Sequence, residues 1–465
     1  MDPGKGNSGQ TLQYFWPAFD GLTWMDDAGK LQPGLAKDWK NPDPTTWQFT
    51  LGDYKFHNGR AVEAQDVVDS YARYRDPQKK LSTAAAFVSV DKIEAPDTRT
   101  IKVTTKAPDP TLPNILSLAM VLPMKEVTQQ GEDAFFAKPI GTGPYQVQQA
   151  DWNTALKFSA VGGGFVSPRG APAVQDIEVR FLPDAAARTA ALQAGDVDAI
   201  SPVTADAAAT LEKAGFKTAE TPGTSTVHFL LDPNNGPTKD LRVRQAINYA
   251  LDKQGIVQQL YGGKARVDGQ LIGPGCLGYN ADLKPYAYDV AKAKQLLSDA
   301  GFSNGMTLPL TVLTISSGGK DIGQVVAAQL AQVGIKTDMK VEEPALWLTE
   351  YYGPADKRTG LWVEFINWDQ TYEPNSVWRW YTSDLPSNAG RRWEDATFDK
   401  MYQQAKTTFD RDKRGQMYQE AGKYLFDQAP VLFLWQNYTL GSMKKNITWT
   451  PGLFADAYVG KLKVG

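Results

Sequence analysis

Between residues 177 and 200 the sequence reads strand, helix, strand. Residues 177–181 (IEVRF) alternate apolar and charged side chains, residues 185–194 form a helix that Asp184 caps and Gly195 ends, and residues 197–200 (VDAI) resume a strand. That unit, repeated, builds an α/β sheet. The rhythm continues downstream. Strands are expected over 227–231, 308–313, 335–341 and 431–435. Helices are expected over 243–251, 290–300 (capped by Asp289, ended by Gly301), 322–333, 397–409 and 413–426. Upstream, 47–51 and 98–104 alternate as half-buried strands. Residues 63–74 place Val67, Val68, Tyr71 and Tyr74 at helical spacing before Asp76-Pro77 ends the helix. A chain of 465 residues exceeds what one core serves, so two or three domains are expected.

The densest aromatic stretch is 361–381, LWVEFINWDQTYEPNSVWRWY. Trp362, Val363, Phe365 and Ile366 have the pattern of a short buried strand. The pattern then stops. Asn367, Trp368, Asp369, Gln370 and Thr371 set an indole among hydrogen-bonding side chains where the strand should end, and Glu373-Pro374-Asn375 has turn chemistry. Ligands of open α/β sheets bind beyond the C-terminal ends of strands. Of the 13 Trp in the chain, five lie between Trp362 and Trp393, so the cluster is either core or a ligand wall. The interleaved Asn, Asp, Gln and Thr favour a ligand wall.

Composition removes several classes. A net charge of −3 gives no reason to expect nucleic acid or an anionic membrane, and no apolar run is long enough to span a bilayer. One cysteine, Cys276, excludes an internal disulfide, and two distant histidines, His57 and His228, make no zinc or copper site. No nucleophile-elbow, zincin, paired-cysteine or dinucleotide motif is present, and Gly162 to Gly164 lack the Lys-Ser/Thr ending of a phosphate loop. These patterns lead to no cofactor or metal site, and none of the enzyme motifs sought is found.

Several stretches, in register, carry a resemblance. They are FDGLTWMDDAGKLQPGLAKDW (19–39), TTWQFTL, KFHNGRAVEAQDVVDSYARYRDP (55–77), PIGTGPYQV (139–147), GDVDAI (195–200), KDLRVRQAINYALDKQGIVQQLYGGKA (239–265) and KPYAYDVAKAKQLLSDAGF (284–302). In order and spacing the chain resembles the extracellular solute-binding proteins of family 5, the receptors of peptide, opine and nickel ABC importers.

The resemblance implies a two-lobe, periplasmic-binding-protein-like α/β fold. The first lobe would comprise 1–20, 141–232 and 438–465, with a subdomain inserted over 21–140, and the second lobe 233–437. The chain would cross between lobes near Leu231-Asp232-Pro233 and Gln436-Asn437-Tyr438. It implies a monomer that captures a short peptide, opine or related amino-acid conjugate and delivers it to a membrane permease. An oligosaccharide is the alternative ligand, and a peptide- or carbohydrate-active hydrolase the reading from another class. Residues 367–374 fall where the family has Gly-Trp-x-x-Asp-x-x-Asp-Pro. Trp368 takes the Trp place, while by simple count Thr371 stands at the Asp place and an acid comes early, at Asp369. That departure argues against the α-amino anchor of ordinary peptide receptors, and the absence of His there argues against nickel.

The ligand-binding candidates are therefore Asn7, Ser8, Gly9, Asn367, Trp368, Asp369, Thr371, Tyr372, Arg379 and Trp435, the last either lining the cleft or belonging to the core of its strand. Asp2-Pro3 matches the family's N-terminal Asp-Pro, normally preceded by a first strand and an export signal. On that count the chain starts late and lacks both, and a periplasmic or extracellular-face location is expected from the resemblance.

Overall fold

The structure is a computed structural model and describes residues 1–6, 9–26, 29–172, 174–314, 318–352, 360–367, 371–385, 391–451 and 462–465. Contacts divide the chain into two compact units, one of Met1–Thr221, Asp369–Tyr372 and Thr439–Gly465, the other of Pro222–Trp368 and Glu373–Tyr438. Among the described residues no helix is long and apolar enough to cross a membrane.

In the first unit, strands Ala36–Asp43, Thr46–Leu51, Thr100–Thr105 and Val90–Glu94 form an antiparallel sheet in that order. Thr46–Leu51 buries alternate residues, Phe49 and Leu51 completely. Helix Ala64–Arg75 turns Val67, Tyr71 and Tyr74 inward, as its spacing predicts. Its N-terminus is fixed by Asp66, whose carboxylate accepts from the Glu63 backbone N–H at 3.0 Å and forms a fork with Arg60 at 2.8 and 2.9 Å. A second antiparallel sheet comprises Tyr145–Asp151, Ala155–Ala160 and Asp176–Arg180. Helix Ala185–Ala194 follows with its expected caps: Asp184 accepts from the Ala187 N–H at 2.7 Å, and Gly195 takes the left-handed conformation at φ +84°.

The Pro139–Val147 stretch brings its backbone close to two other segments of this unit. Gly143 donates its N–H to the Ala18 carbonyl at 3.0 Å, and the Gly141 carbonyl accepts from the His57 N–H at 2.9 Å. The His57 ring completes the clamp: Nδ1 accepts from the Gly141 N–H at 3.2 Å and Nε2 lies 2.9 Å from the Gly143 carbonyl. Both bonds are made by the neutral ring with its proton on Nε2. Burial outweighs the Gly143 carbonyl and lowers the His57 pKa from 6.5 to about 4. A histidine held neutral in the fold contributes stability that is fully present above its unfolded pKa. That stability is lost as pH falls from 6.5 towards about 4. Denaturant unfolding between those limits should therefore show wild type losing stability faster than His57→Gln, by up to about 1 kcal/mol per pH unit. Parallel pH profiles would refute the assignment.

The second unit is organised on a mixed sheet. Strand Met306–Leu313 runs parallel to Ile335–Glu342 on one side and to Leu361–Asn367 on the other. Helix Gly319–Gln332 makes the first crossover. Leu361–Asn367 pairs antiparallel with Lys217–Leu230. One sheet face, with Val227, Phe229, Leu308, Leu310, Leu361 and Val363, packs on Val243, Ile247, Ile322, Val326 and Leu330 from helices. The only cysteine, Cys276, is buried in this unit at 4 % exposure.

Two strands are longer than the pattern predicts. The strand expected over 227–231 is Lys217–Leu230, and that expected over 431–435 is Val431–Met443. Their extra residues, such as Thr221, Gly223, Thr224 and Gly441, lack apolar alternation, and ladder pairing decides their conformation. Helix Pro344–Tyr351 was not anticipated; Pro344 at its first position and Trp347 and Tyr351 one turn apart are its signals.

Candidate functional site

Side chains alternate faces along a strand, so a polar residue between two core residues points away from the core. In Leu361–Asn367, Leu361 and Val363 face the apolar core, while Trp362 and Glu364 face the opposite side. The antiparallel register places Glu364 directly across from His228, itself between Val227 and Phe229 of the core. The second face of this sheet thus carries an acid facing an imidazole.

That face is closed over. Glu364 and His228 are each 1 % exposed, with His228 Nε2 2.6 Å from Glu364 Oε2. Arg392, 3 % exposed, donates from Nε to Glu364 Oε1 at 2.5 Å and also bonds the Tyr351 hydroxyl. The Tyr381 hydroxyl lies 3.4 Å from Glu364 Oε2 and 3.5 Å from His228 Nε2. Burial alone would raise the Glu364 pKa, but the Arg392 charge and His228 outweigh it and hold the carboxyl below its ordinary range. Burial and the Glu364 charge hold the Tyr381 phenol well above its own.

Aromatic rings wall the cluster. Trp347 and Tyr351 stack with centroids 4.1 Å apart and planes 9° apart, and Trp362 meets both at 6.2 and 5.9 Å. The Arg392 guanidinium sits 4.3 Å from the Trp380 centroid and 5.0 Å from that of Tyr351. The rings and the ion cluster pack against one another and are buried together.

The segment after the strand is braced from the long helix Arg411–Gln428. Arg414 forks onto Glu373 at 2.8 and 3.3 Å, both residues buried, and the Tyr418 hydroxyl donates to Asn375 Oδ1 at 2.9 Å. Trp378, 2 % exposed, packs on Phe398 and Tyr418, each at 5.6 Å. In the first unit the Thr371 carbonyl accepts from Asn114 Nδ2 at 2.8 Å, and Tyr372 takes φ +56°, a left-handed conformation unusual outside glycine.

The ten residues expected at the site are placed as follows. Asn7, Ser8, Trp368 and Asp369 lie outside the described residues. Gly9 opens helix Gly9–Phe15, and Asn367 ends its strand opposite Ser225. Thr371 and Tyr372 are buried at the turn, and Arg379 is exposed, its guanidinium 5.8 Å from the neighbouring Trp380 ring. Trp435 lies in the core of the second unit at 1 % exposure, edge-on to Tyr261, with Nε1 donating to Asn437 Oδ1 at 3.1 Å. Among the described residues, no group of three or more His, Cys, Asp or Glu is placed to hold a metal ion. The cluster of His228, Glu364, Tyr351, Tyr381 and Arg392 was not among the ten. Its signal was an ionisable residue inside each of two apolar strands, in VHFLL and WVEFI, which calls for a buried partner.

Comparison with known proteins places this geometry. The chain is 29% identical over 96% of its length to the glutathione-binding protein GsiB of Pectobacterium atrosepticum, covering 88% of that protein. Its structure is similar to that of HbpA2 from Haemophilus parasuis, with TM-score 0.89 and 21% identity, over 100% of this chain and 97% of that one. It is also similar to the binding protein AgaA of A. tumefaciens R10 in complex with agropinic acid, with TM-score 0.74 and 24% identity, over 100% and 95% of the two chains. These likenesses show the two-lobe periplasmic-binding-protein fold. The family model of the bacterial extracellular solute-binding proteins, family 5, matches residues 30–388, most of the sequence, and the chain belongs to that family.

Proposed function

We propose that this family-5 solute-binding receptor captures a short peptide or a related amino-acid conjugate of the glutathione or opine kind. The observation that carries the reading is the collinear match to a glutathione-binding protein over 96% of the chain. The buried face built from Glu364, His228 and Arg392 under Trp347, Tyr351 and Trp380 supports it, because amino-acid conjugates combine charged ends with flat or aliphatic middles. The two compact units are taken as the two lobes, and residues 21–140 are proposed as an inserted subdomain of the first. Closure of the lobes on the ligand would convert its contacts into a population shift that a membrane ABC permease can read. Trp368 and Asp369 are proposed to contact the ligand, with Thr371 and Tyr372 fixing the turn beside them. The protein is taken to act as a monomer outside the cytoplasmic membrane, in the periplasm or at the cell surface.

A thermal-unfolding screen tests the ligand class. Reduced and oxidised glutathione, free di- and tripeptides, agropinic acid and maltotriose would each be added to the full chain. A true ligand at a hundred times its Kd adds about 2.7 kcal/mol of stability. Stabilisation by a glutathione, peptide or opine, with the compound recovered intact, is the expected result. Stabilisation by maltotriose alone would overturn the reading, and turnover of any compound would point to the hydrolase class.

A further inference from the structure

In the first unit, strand Asp176–Arg180, helix Ala185–Ala194 and strand Ala199–Ile200 follow one another along the chain. A strand–helix–strand unit returns its second strand parallel to the first. These two strands do not pair. Asp176–Arg180 is the outer strand of the three-stranded sheet, and Ala199–Ile200 is the outer strand of the seven-stranded one. One cavity of about 650 Å³ is lined by both, with Ile177 and Val179 from the first strand and Val197 and Ala199 from the second, all four half-buried.

The ladder phase shows what each edge offers. The Ala160 N–H donates to the Gln175 carbonyl and the Phe181 N–H to the Thr154 carbonyl, so residues 175, 177, 179 and 181 spend their backbone groups inside their sheet. Asp176, Glu178 and Arg180 turn theirs outward, and among the described residues these groups have no partner. On the other strand the Lys444 N–H donates to the Asp198 carbonyl, which leaves Ala199, paired opposite Met443, with its N–H and C=O on the open edge. The faces beside that strand are apolar. Ile200 packs with Leu192 and Leu211, while Ala199, on the opposite face, borders Met443, Ile447 and Trp449.

We propose that this cavity is a strand-accepting site, which captures one extended peptide with apolar side chains on both faces. A strand meets both walls at once, because its backbone presents donors and acceptors to either side while its side chains point above and below. A compact solute satisfies one row of backbone groups and leaves the other bare. Lying beside Ala199–Ile200, the occupant adds side chains to both apolar clusters, and strands covered on both faces read as near-continuous apolar runs. Strand Asp176–Arg180 carries neither proline nor bulge to blunt its edge against pairing. The site lies within the first unit and does not depend on the identity of the transported solute.

Hydrogen exchange on the full chain tests it. The probe is a capped peptide, Lys-Lys-Val-Ile-Val-Val-Ile-Lys-Lys, whose centre suits both clusters and whose ends keep it in solution. Without peptide, the amides of Glu178, Arg180 and Ala199 should exchange rapidly, while those of Ile177 and Val179, bonded inside their sheet, stay protected. Saturating peptide should slow the first three at least about tenfold. The same peptide N-methylated at every second residue, which cannot pair with one of the walls, should protect none of them. Glu178→Pro removes a donor that the sheet does not use, so it should unfold at the wild-type midpoint and bind the peptide at least about tenfold more weakly. No protection by the peptide, equal protection by its N-methylated form, or equal binding by a folded Glu178→Pro overturns the proposal. Protection of the three amides before peptide is added overturns it too. Sedimentation as a dimer would then assign the cavity to a second copy, and sedimentation as a monomer to the chain's own residues.

Discussion

Gly141→Ala should destabilise the first unit by about 3 kcal/mol or more, at the upper end of what overpacking usually costs. A Cβ built on Gly141 would sit 2.0 Å from the Ala18 carbonyl oxygen and 2.8 Å from the Phe19 ring. At Gly143 it would sit 2.3 Å from the Pro17 carbonyl oxygen. The obstacles are chiefly backbone, so no side chain can swing aside. Relief requires the two segments, 17–20 and 141–143, to separate, which breaks the bonds between them. The Gly143 to Ala18 bond, the His57 clamp and the Thr142 hydroxyl, which donates to Asp20 at 3.0 Å, would all be lost together. Gly162→Ala is the control, because nothing lies within 4 Å of a Cβ there. Urea unfolding should show the control within about 0.5 kcal/mol of wild type. Equal midpoints for all three proteins would mean the two segments adjust without cost.

The second large effect is expected at Glu373. Changing it to Gln leaves Arg414, with a side chain only 4 % exposed, without its charge partner. Removing one member of a buried pair typically costs about 3–5 kcal/mol, chiefly the penalty of the stranded charge. The double variant Glu373→Gln/Arg414→Met should recover much of that loss, because the remaining carbonyls of Thr408 and Phe409 that Arg414 also bonds lie at the helix start. A double-mutant cycle in urea would measure the coupling. Additive single effects would show that the pair is solvated after all. If residues 368–372 contact the solute, Glu373→Gln should also weaken solute binding at temperatures where the protein is still folded.

How much of this was legible in the sequence depends on how local each cause is. Helix 185–194 was read to the residue because its start and stop are single side chains, Asp184 and Gly195, acting on adjacent backbone. The strand expected at 335–341 lies within one residue of the observed Ile335–Glu342. The upstream half of Lys217–Leu230 was not anticipated, because its Thr and Gly residues become strand only through a partner far along the chain. The site divides in the same way. The aromatic and polar wall expected after residue 366 falls largely outside the described residues. The buried acid–imidazole–guanidinium cluster on the strand before it was not anticipated, because it joins residues 228, 364 and 392, and pairing across that distance is set by register. Glu364 and His228 each stood out as an ionisable residue in an apolar run. Cross-strand pairing is what brings two such residues together.

The burial of Cys276 has a practical consequence. A chain with one thiol, and that thiol 4 % exposed, presents almost no background to maleimide dyes. One surface cysteine added to each compact unit would then be the only reactive pair, and energy transfer between two attached fluorophores would report solute-driven movement molecule by molecule. Candidate solutes could all be ranked on that single optical signal, without a radiolabel and without the permease.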